Sequence, residues 1–229
     1  MIYENIVEGI FIKRPNRFIA HVLVNGKEEV VHVKNTGRCK ELLIPGVKVI
    51  LEDCLHHKNR KTRYSLIAVW KGDMLVNMDS QVPNIVVYES LEKGKIEGFE
   101  DLLHIKREVT YGNSRYDIYF ETKDEKGFIE VKGVTLEVNG ISMFPDAPTE
   151  RGTKHVLELI KAVKEGYKGT VLFLIQMKGP IKFRPNWEMD SNFSEAIRFA
   201  HDNGVNVLAY DSIVTENSIV LDEQIIIDL

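Results

Sequence analysis

The sequence predicts a small all-β module followed by an α/β domain, and three observations carry that prediction. The first ~80 residues break into short β-branched runs separated by Asn-Gly, Pro-Gly and Lys-Gly-Asp turns. Near Pro83 the pattern changes to that of a helix. Beyond it, apolar strands alternate with segments whose apolar residues recur at helical spacing.

In order, GIFIKR, FIAHVLVNG, EEVVHVKN, VKVILED and YSLIAVW are the strands of the first part. That many short strands in so small a module suit a closed or partly open barrel, of which the oligonucleotide-binding (OB) fold is a common kind. Pro83, with Ile85, Tyr88 or Glu89, and Leu91, predicts a helix opening a second domain, dividing the chain into 1–82 and 83–229. REVTYG, RYDIYFE and FIEVKGVTL follow as strands, the last two around the turn TKDEKG. Val156, Leu159, Ile160 and Val163 then mark a helix closed by Gly166. TVLFLIQM is a fully apolar strand, SNFSEAIRFAHDNG a helix with an Asn-Gly stop, and VNVLAY a further strand. This alternation argues for a sheet with crossover helices. The C-terminal SIVLDEQIIIDL reads as an added strand or a partner contact.

Composition bounds the partners. The 229 residues are 44% hydrophobic and 28% charged, ordinary for a globular chain. No apolar run approaches the ~20 residues a membrane helix needs, and the N-terminus has no basic-then-apolar signal layout. Only Cys39 and Cys54 are present, which fits a reduced, cytoplasmic setting. A zinc site with His56 and His57 lacks any CxxC spacing, and two ordinary thiols are the better reading. The net charge of −4 conceals an asymmetry: residues 1–82 hold 13 Lys and Arg against 9 Asp and Glu, so the excess of acid lies in the second part.

The strand FIEVKGVTL carries Glu130 and Lys132 amid apolar neighbours. With a turn at Asp124–Gly127, Asp117 on the preceding strand shares their face but lies further along than Glu130, so a bulge or strand divergence is needed to unite the three. Two carboxylates and the carbonyl of Val131 can hold a divalent cation that keeps several waters, and Lys132 can stabilise charge forming on a phosphate. An edge strand with a surface ion pair accounts for the same letters.

Two stretches decide further. FPDAPTERGTKHVLEL (144–159), taken with RYDIYF and FIEVKGVTL, resembles the sugar fermentation stimulation protein A family, and KNTGR (34–38) and RPNRFIAHV (14–22) match its N-terminal half. The resemblance covers essentially the whole chain. It implies an N-terminal OB-type barrel, a C-terminal domain similar to PD-(D/E)xK nucleases, and non-specific DNA binding with a regulatory role in sugar (maltose) metabolism. Carried over, Asp117 is the first acid of the motif, Glu130 the second and Lys132 the lysine, with Tyr116 standing where the motif has Pro. Mg²⁺ or Mn²⁺ is then the implied cofactor, held by Asp117, Glu130 and Val131, and Glu89 resembles an extra acid on the first helix. In the FPDAPTERGTKH run, Asp146 or Thr149 can cap the next helix with Pro148 in its first turn. Arg151 and Lys154, three apart, face the same way and suit phosphate. His155 is as readily structural as functional.

Basic residues interleave with aromatics in two places, as nucleic-acid backbones and bases require. Lys13, Arg14, Arg17 and Phe18 form one cluster, with Arg38 nearby, and Lys58, Arg60, Lys61, Arg63 and Tyr64 form the other. No groove-reading recognition helix is evident, so sequence preference should be weak. The expected function is a metal-dependent nuclease acting on DNA or RNA. The alternative is a DNA-binding regulator that retains the nuclease fold without cleavage. A sugar-processing enzyme lacks support, with no glycosidase acid pair or Gly-rich phosphate loop. Oligomeric state stays open.

Overall fold

The computed structural model describes residues 1–55 and 60–229. Lys58, His56 and His57 lie outside the described residues. The five expected strands form as β1 (Ile6–Asn16), β2 (Ile19–Val24), β3 (Lys27–Val33), β4 (Lys48–Asp53) and β5 (Tyr64–Lys71). They lie in the order β3-β2-β1-β4-β5, and a parallel pairing of β3 with β5 closes the barrel. Shifts in the β1–β2 register at Phe11/Lys13 and Lys13/Asn16 bend the long first strand, as barrel closure requires. Alternate residues such as Ala20, Val22 and Val24 fill the interior. A short strand β6 (Met74–Asn77) pairs with β5 and leads out of the barrel.

The helix α1 (Val82–Glu92) begins with Pro83 in its first turn, where the missing N–H costs nothing. Its buried stripe is Val82, Pro83, Val86, Val87, Ser90 and Leu91. This corrects the stripe expected through Ile85 and Tyr88, which are half-buried on the flank.

A six-stranded sheet follows, ordered β15 (Ser218–Gln224), β14 (Val205–Thr215), β12 (Lys168–Ile175), β9 (Lys126–Val134), β8 (Ser114–Glu121), β7 (His104–Tyr111). The central β9, β12 and β14 are parallel. Helices α2 (Glu150–Lys164) and α3 (Ser191–Asp202) cover one face, where Val156, Leu159, Phe193 and Ile197 meet Phe128, Val171 and Phe173. The opposite face packs Ile129, Val131 and Leu172 with Val86, Val87 and Leu91 of α1. The C-terminal run supplies β15 and also β16 (Ile226–Ile227), which joins β10 (Leu136–Val138), β11 (Ile141–Phe144) and β13 (Lys182–Pro185) in a second small sheet. β10, β11 and β13 are too short to show a period in the sequence.

Two starts matter for the site. Thr149 caps α2, its Oγ1 accepting from Gly152 N at 3.1 Å. Pro148 stands one residue outside that cap rather than in the first turn. Asp190 caps α3 and also accepts from Thr149 N at 2.8 Å, which ties the two helix starts together. The barrel is fastened to the second part by the Lys71–Glu137 ion pair, while Lys34–Asp79 at 2.5 Å holds it to the segment before α1.

Candidate active site

The β8–β9 hairpin sets the site, and its register differs from the expected one. Glu121 pairs with Lys126, and Thr122 N donates to Glu125 O at 2.8 Å, so the turn is Thr122–Glu125 and lies two residues earlier. Pairing continues to Ile118–Ile129, which brings Asp117 level with Glu130 instead of further along. There β8 leaves the ladder. The N–H of Val131 donates to Asp117 Oδ2 at 2.8 Å, in place of a β8 carbonyl. A residue's N–H and C=O leave a strand on the same edge, so the carbonyl of Val131 points toward the gap that Asp117 occupies. Asn84, in the first turns of α1, donates to Asp117 Oδ1 at 2.7 Å.

Glu130 and Lys132 project toward α2. Glu130 is nearly sealed, its side chain 3% exposed. Its Oε1 accepts from Lys132 Nζ at 2.5 Å and lies 2.6 Å from His155 Nδ1 on α2. Its Oε2 is buried with no hydrogen-bond partner. Burial alone would raise the Glu130 carboxyl, but His155 and the Lys132 charge outweigh it and hold it below the ordinary Glu value. Asp117 is displaced the other way. Burial, then the neighbouring Glu130, push it up against the opposing Val131 N–H, Lys132 and Asn84. An unsatisfied buried carboxylate oxygen beside a second carboxylate is the donor set of a hard divalent cation. Each oxygen of Asp117 accepts one protein hydrogen bond and keeps a further lone pair.

His155 is thus in the cluster, through an acceptor that its position one turn into α2 brings within reach. Arg151 Nε approaches His155 Nε2 at 3.5 Å, and both Arg151 and Lys154 are exposed. Glu89 does not join Asp117: its Oε2 pairs with the Met1 ammonium at 2.8 Å. Asn84, unmarked in the sequence because Asn in a helix start reads as a capping residue, takes the place on α1 beside the first acid. Among the described residues, Asp211, Asp222 and Glu223 also bring three carboxylates together, but Lys178 Nζ sits among them at 2.9, 2.6 and 2.7 Å and supplies the cation itself.

The basic clusters separate. Arg14 is a structural staple: its guanidinium donates to the carbonyls of Arg17 (2.8 Å), Asn35 (2.6 Å), Gly37 (2.8 Å) and Arg38 (3.0 Å). Lys13, Arg17 and Arg38 line an open groove of about 440 Å³ beside it, joined by Lys40, which sequence reasoning missed. Phe18 is 45% exposed, with the Arg17 guanidinium 4.7 Å over its ring. In the second cluster Arg63 is committed to Asp53, its Nε 3.0 Å from both carboxylate oxygens, and Arg60 donates to Ser65 Oγ at 2.6 Å. Lys61 is exposed. Both thiols are buried and unpaired, and Cys39 is pushed up to about 12 by burial, then by Asp146 and Glu41.

A five-stranded OB-type barrel followed by an α/β domain is the class of protein that this architecture defines. Residues 12–78 match the SfsA N-terminal OB domain, and residues 81–218 the sugar fermentation stimulation protein RE domain. The chain belongs to the SfsA family. The sugar fermentation stimulation protein homolog of Alkaliphilus oremlandii is 62% identical over 232 residues, covering 100% of this chain and 99% of the relative. That of Clostridium botulinum strain Loch Maree is 56% identical over 229 residues, with the same coverage. The structure of Pyrococcus furiosus SfsA in complex with Ca²⁺ is similar with a TM-score of 0.91 at 27% identity, covering 100% of this chain and 98% of that one. No helix among the described residues is long and apolar enough to cross a membrane.

Proposed function

We propose that the protein is a Mg²⁺- or Mn²⁺-dependent nuclease that hydrolyses phosphodiester bonds of DNA or RNA with little sequence preference, in the cytoplasm. The observation that carries the reading is the buried, partnerless Oε2 of Glu130 beside Asp117 and Lys132. Asp117, Glu130 and the carbonyl of Val131 would hold the cation, and the Pyrococcus relative solved with Ca²⁺ supports a divalent ion in this family. When bound, such an ion polarises a phosphoryl oxygen and lowers the pKa of a bound water.

The chain's own residues do the rest. Asn84 and the Val131 N–H aim Asp117, and His155 fixes the rotamer of Glu130. Lys132, held at Glu130, stands where an ammonium offsets the negative charge that grows on a phosphate under attack. Arg151 and Lys154, exposed on the first turns of α2, grip neighbouring phosphates, where the helix N-terminus adds its own positive end.

The test is cleavage of labelled single- and double-stranded DNA and RNA with either metal, beside Asp117→Ala and Lys132→Ala, with binding scored in the same tubes. Loss of cleavage in both variants with binding retained is the expected result. The relatives' name, sugar fermentation stimulation protein, favours a regulatory role, and the second reading is a regulator that binds DNA without cutting it. Tight binding by the intact chain with no cleavage under either metal would establish that second reading in place of the first.

A further inference from the structure

Resting on the nucleic-acid reading above, we infer that the substrate is held as a single strand in the groove between the β1–β2 turn and the β3–β4 connector. OB-type barrels commonly engage oligonucleotides through the β1–β2 and β4–β5 loops. Among the described residues of the β4–β5 connection, Arg63 is locked to Asp53 and Arg60 to Ser65. The β3–β4 connector, by contrast, brings Arg38 and Lys40, two cations free of ion pairs with described residues, to the groove.

The groove has the chemistry of a strand site. Lys13, Arg17, Arg38 and Lys40 line it, and no described carboxylate does. None of the four makes an ion pair with a described residue, so each is available to a phosphate. Phe11 and Leu43 back the groove from the barrel core, both nearly buried. Phe18, next along the turn, offers an exposed ring for stacking. A volume of about 440 Å³ is on the order of one or two nucleotides. Both walls are preset, because the one guanidinium of Arg14 bonds Arg17 O on the turn and Asn35, Gly37 and Arg38 carbonyls on the connector. A preformed groove loses little entropy on binding.

The groove also leads to the carboxylates. Gly37 packs so closely on the Asp146 carboxylate that a Cβ there has no room. Asp146 lies three residues before Thr149, the cap of α2, and α2 carries Arg151, Lys154 and His155, the last bonded to Glu130. Lys34 at the start of the connector is clamped to Asp79, and Ser80 Oγ donates to Lys34 O at 2.8 Å. Through Gly37 against Asp146 the connector borders the segment that leads into α2. A strand leaving the groove over Gly37 would run toward the α2 cations.

The experiment measures binding of the full chain to fluorescent single-stranded DNA, single-stranded RNA and blunt duplex DNA across a salt series, without divalent metal. Arg17→Ala/Arg38→Ala is compared with Lys95→Ala, a cation beyond α1 outside every basic cluster; all three sites are exposed, and melting curves check folding. The expected results are single-strand binding about tenfold tighter than duplex binding, and a groove variant weakened about tenfold. Its log–log salt slope should also be about 1.4 shallower, two single-strand phosphate contacts at about 0.7 each. Lys95→Ala should bind as the intact chain does. Equal or tighter binding to blunt duplex, or a folded groove variant that keeps full affinity and slope, overturns the single-strand groove while the nuclease reading stands on its cleavage assay. Binding to none of the probes overturns both.

Discussion

Glu130 and Lys132 form a pair whose two halves should be unequal in stability, and the inequality can be worked from their surroundings. The Glu130 side chain is 3% exposed and that of Lys132 15%. Replacing Lys132 by Met leaves a sealed carboxylate with His155 as its remaining partner and Oε2 already bare. Breaking a buried pair costs about 3–5 kcal/mol when the survivor stays charged. Since His155 still bonds Glu130, about 3 kcal/mol is expected, a drop of roughly 6–12 °C for a chain of this size. Glu130→Gln is milder, about 1 kcal/mol or less, because the Lys132 ammonium can turn to water and the amide still accepts one bond. The double variant removes the stranded charge, so it should be more stable than Lys132→Met alone by about 1–2 kcal/mol. Urea unfolding of the four proteins, with chelator present, gives the cycle. Single costs that add to within about 0.5 kcal/mol would show that the pair is not energetically coupled and sink the argument.

Three further outcomes follow from contacts of the same kind. Gly152→Ala should destabilise by about 1–3 kcal/mol despite the better helix propensity of Ala, since its Cβ falls 2.7 Å from Thr149 Oγ1 and 3.2 Å from the Phe193 ring; a raised midpoint in thermal unfolding would refute this. Arg14→Ala should speed amide exchange across residues 34–40 by tenfold or more while exchange in β12 stays unchanged, because four carbonyls lose their common donor. Glu137 should make stability depend on pH. Burial raises its carboxyl, but the Lys71 bond and Gly140 N–H prevail and set it below the ordinary Glu value of 4.5. As pH falls below that value the unfolded chain takes up the proton first, so the contribution is complete at neutral pH and lost in acid. The stability gap between the native chain and Glu137→Gln should therefore narrow steadily from pH 6 to pH 3, and a constant gap in urea midpoints would count against the pair.

How much of this was legible in the sequence depends on the range of the signal. The barrel strands and the two crossover helices were readable because their periods repeat over many residues: Val156, Leu159, Ile160 and Val163 admit one helical face. The acid–x–Lys strand was readable too, since a Glu and a Lys amid β-branched neighbours break the pattern of a buried strand. The hairpin register was not, because Thr122–Glu125 and Asp124–Gly127 are both plausible polar turns, and the two-residue choice moves Asp117 from the level of Val134 to that of Glu130. Arg14 and Arg63 looked like phosphate ligands for a related reason. Whether an arginine meets solvent or a row of carbonyls depends on where a distant loop folds, and Asn35 to Arg38 lie over twenty residues away from Arg14.

The place of Asn84 beside Asp117 shows what the site needs from its first helix. Glu130 already presents one carboxylate, and its nearness helps raise Asp117. A second carboxylate on α1 at this point would raise it further in the metal-free site. An amide instead donates at 2.7 Å without adding charge, and opposes the rise of Asp117. Asn84→Asp should therefore weaken Mn²⁺ affinity at pH 6, where the added repulsion favours protonation, and recover part of it at pH 8. Titration calorimetry of the folded variant beside the intact chain reads this directly. Equal affinities at both pH values would mean that Asn84 only packs against the strand end and that Asp117 is aimed by the Val131 N–H alone.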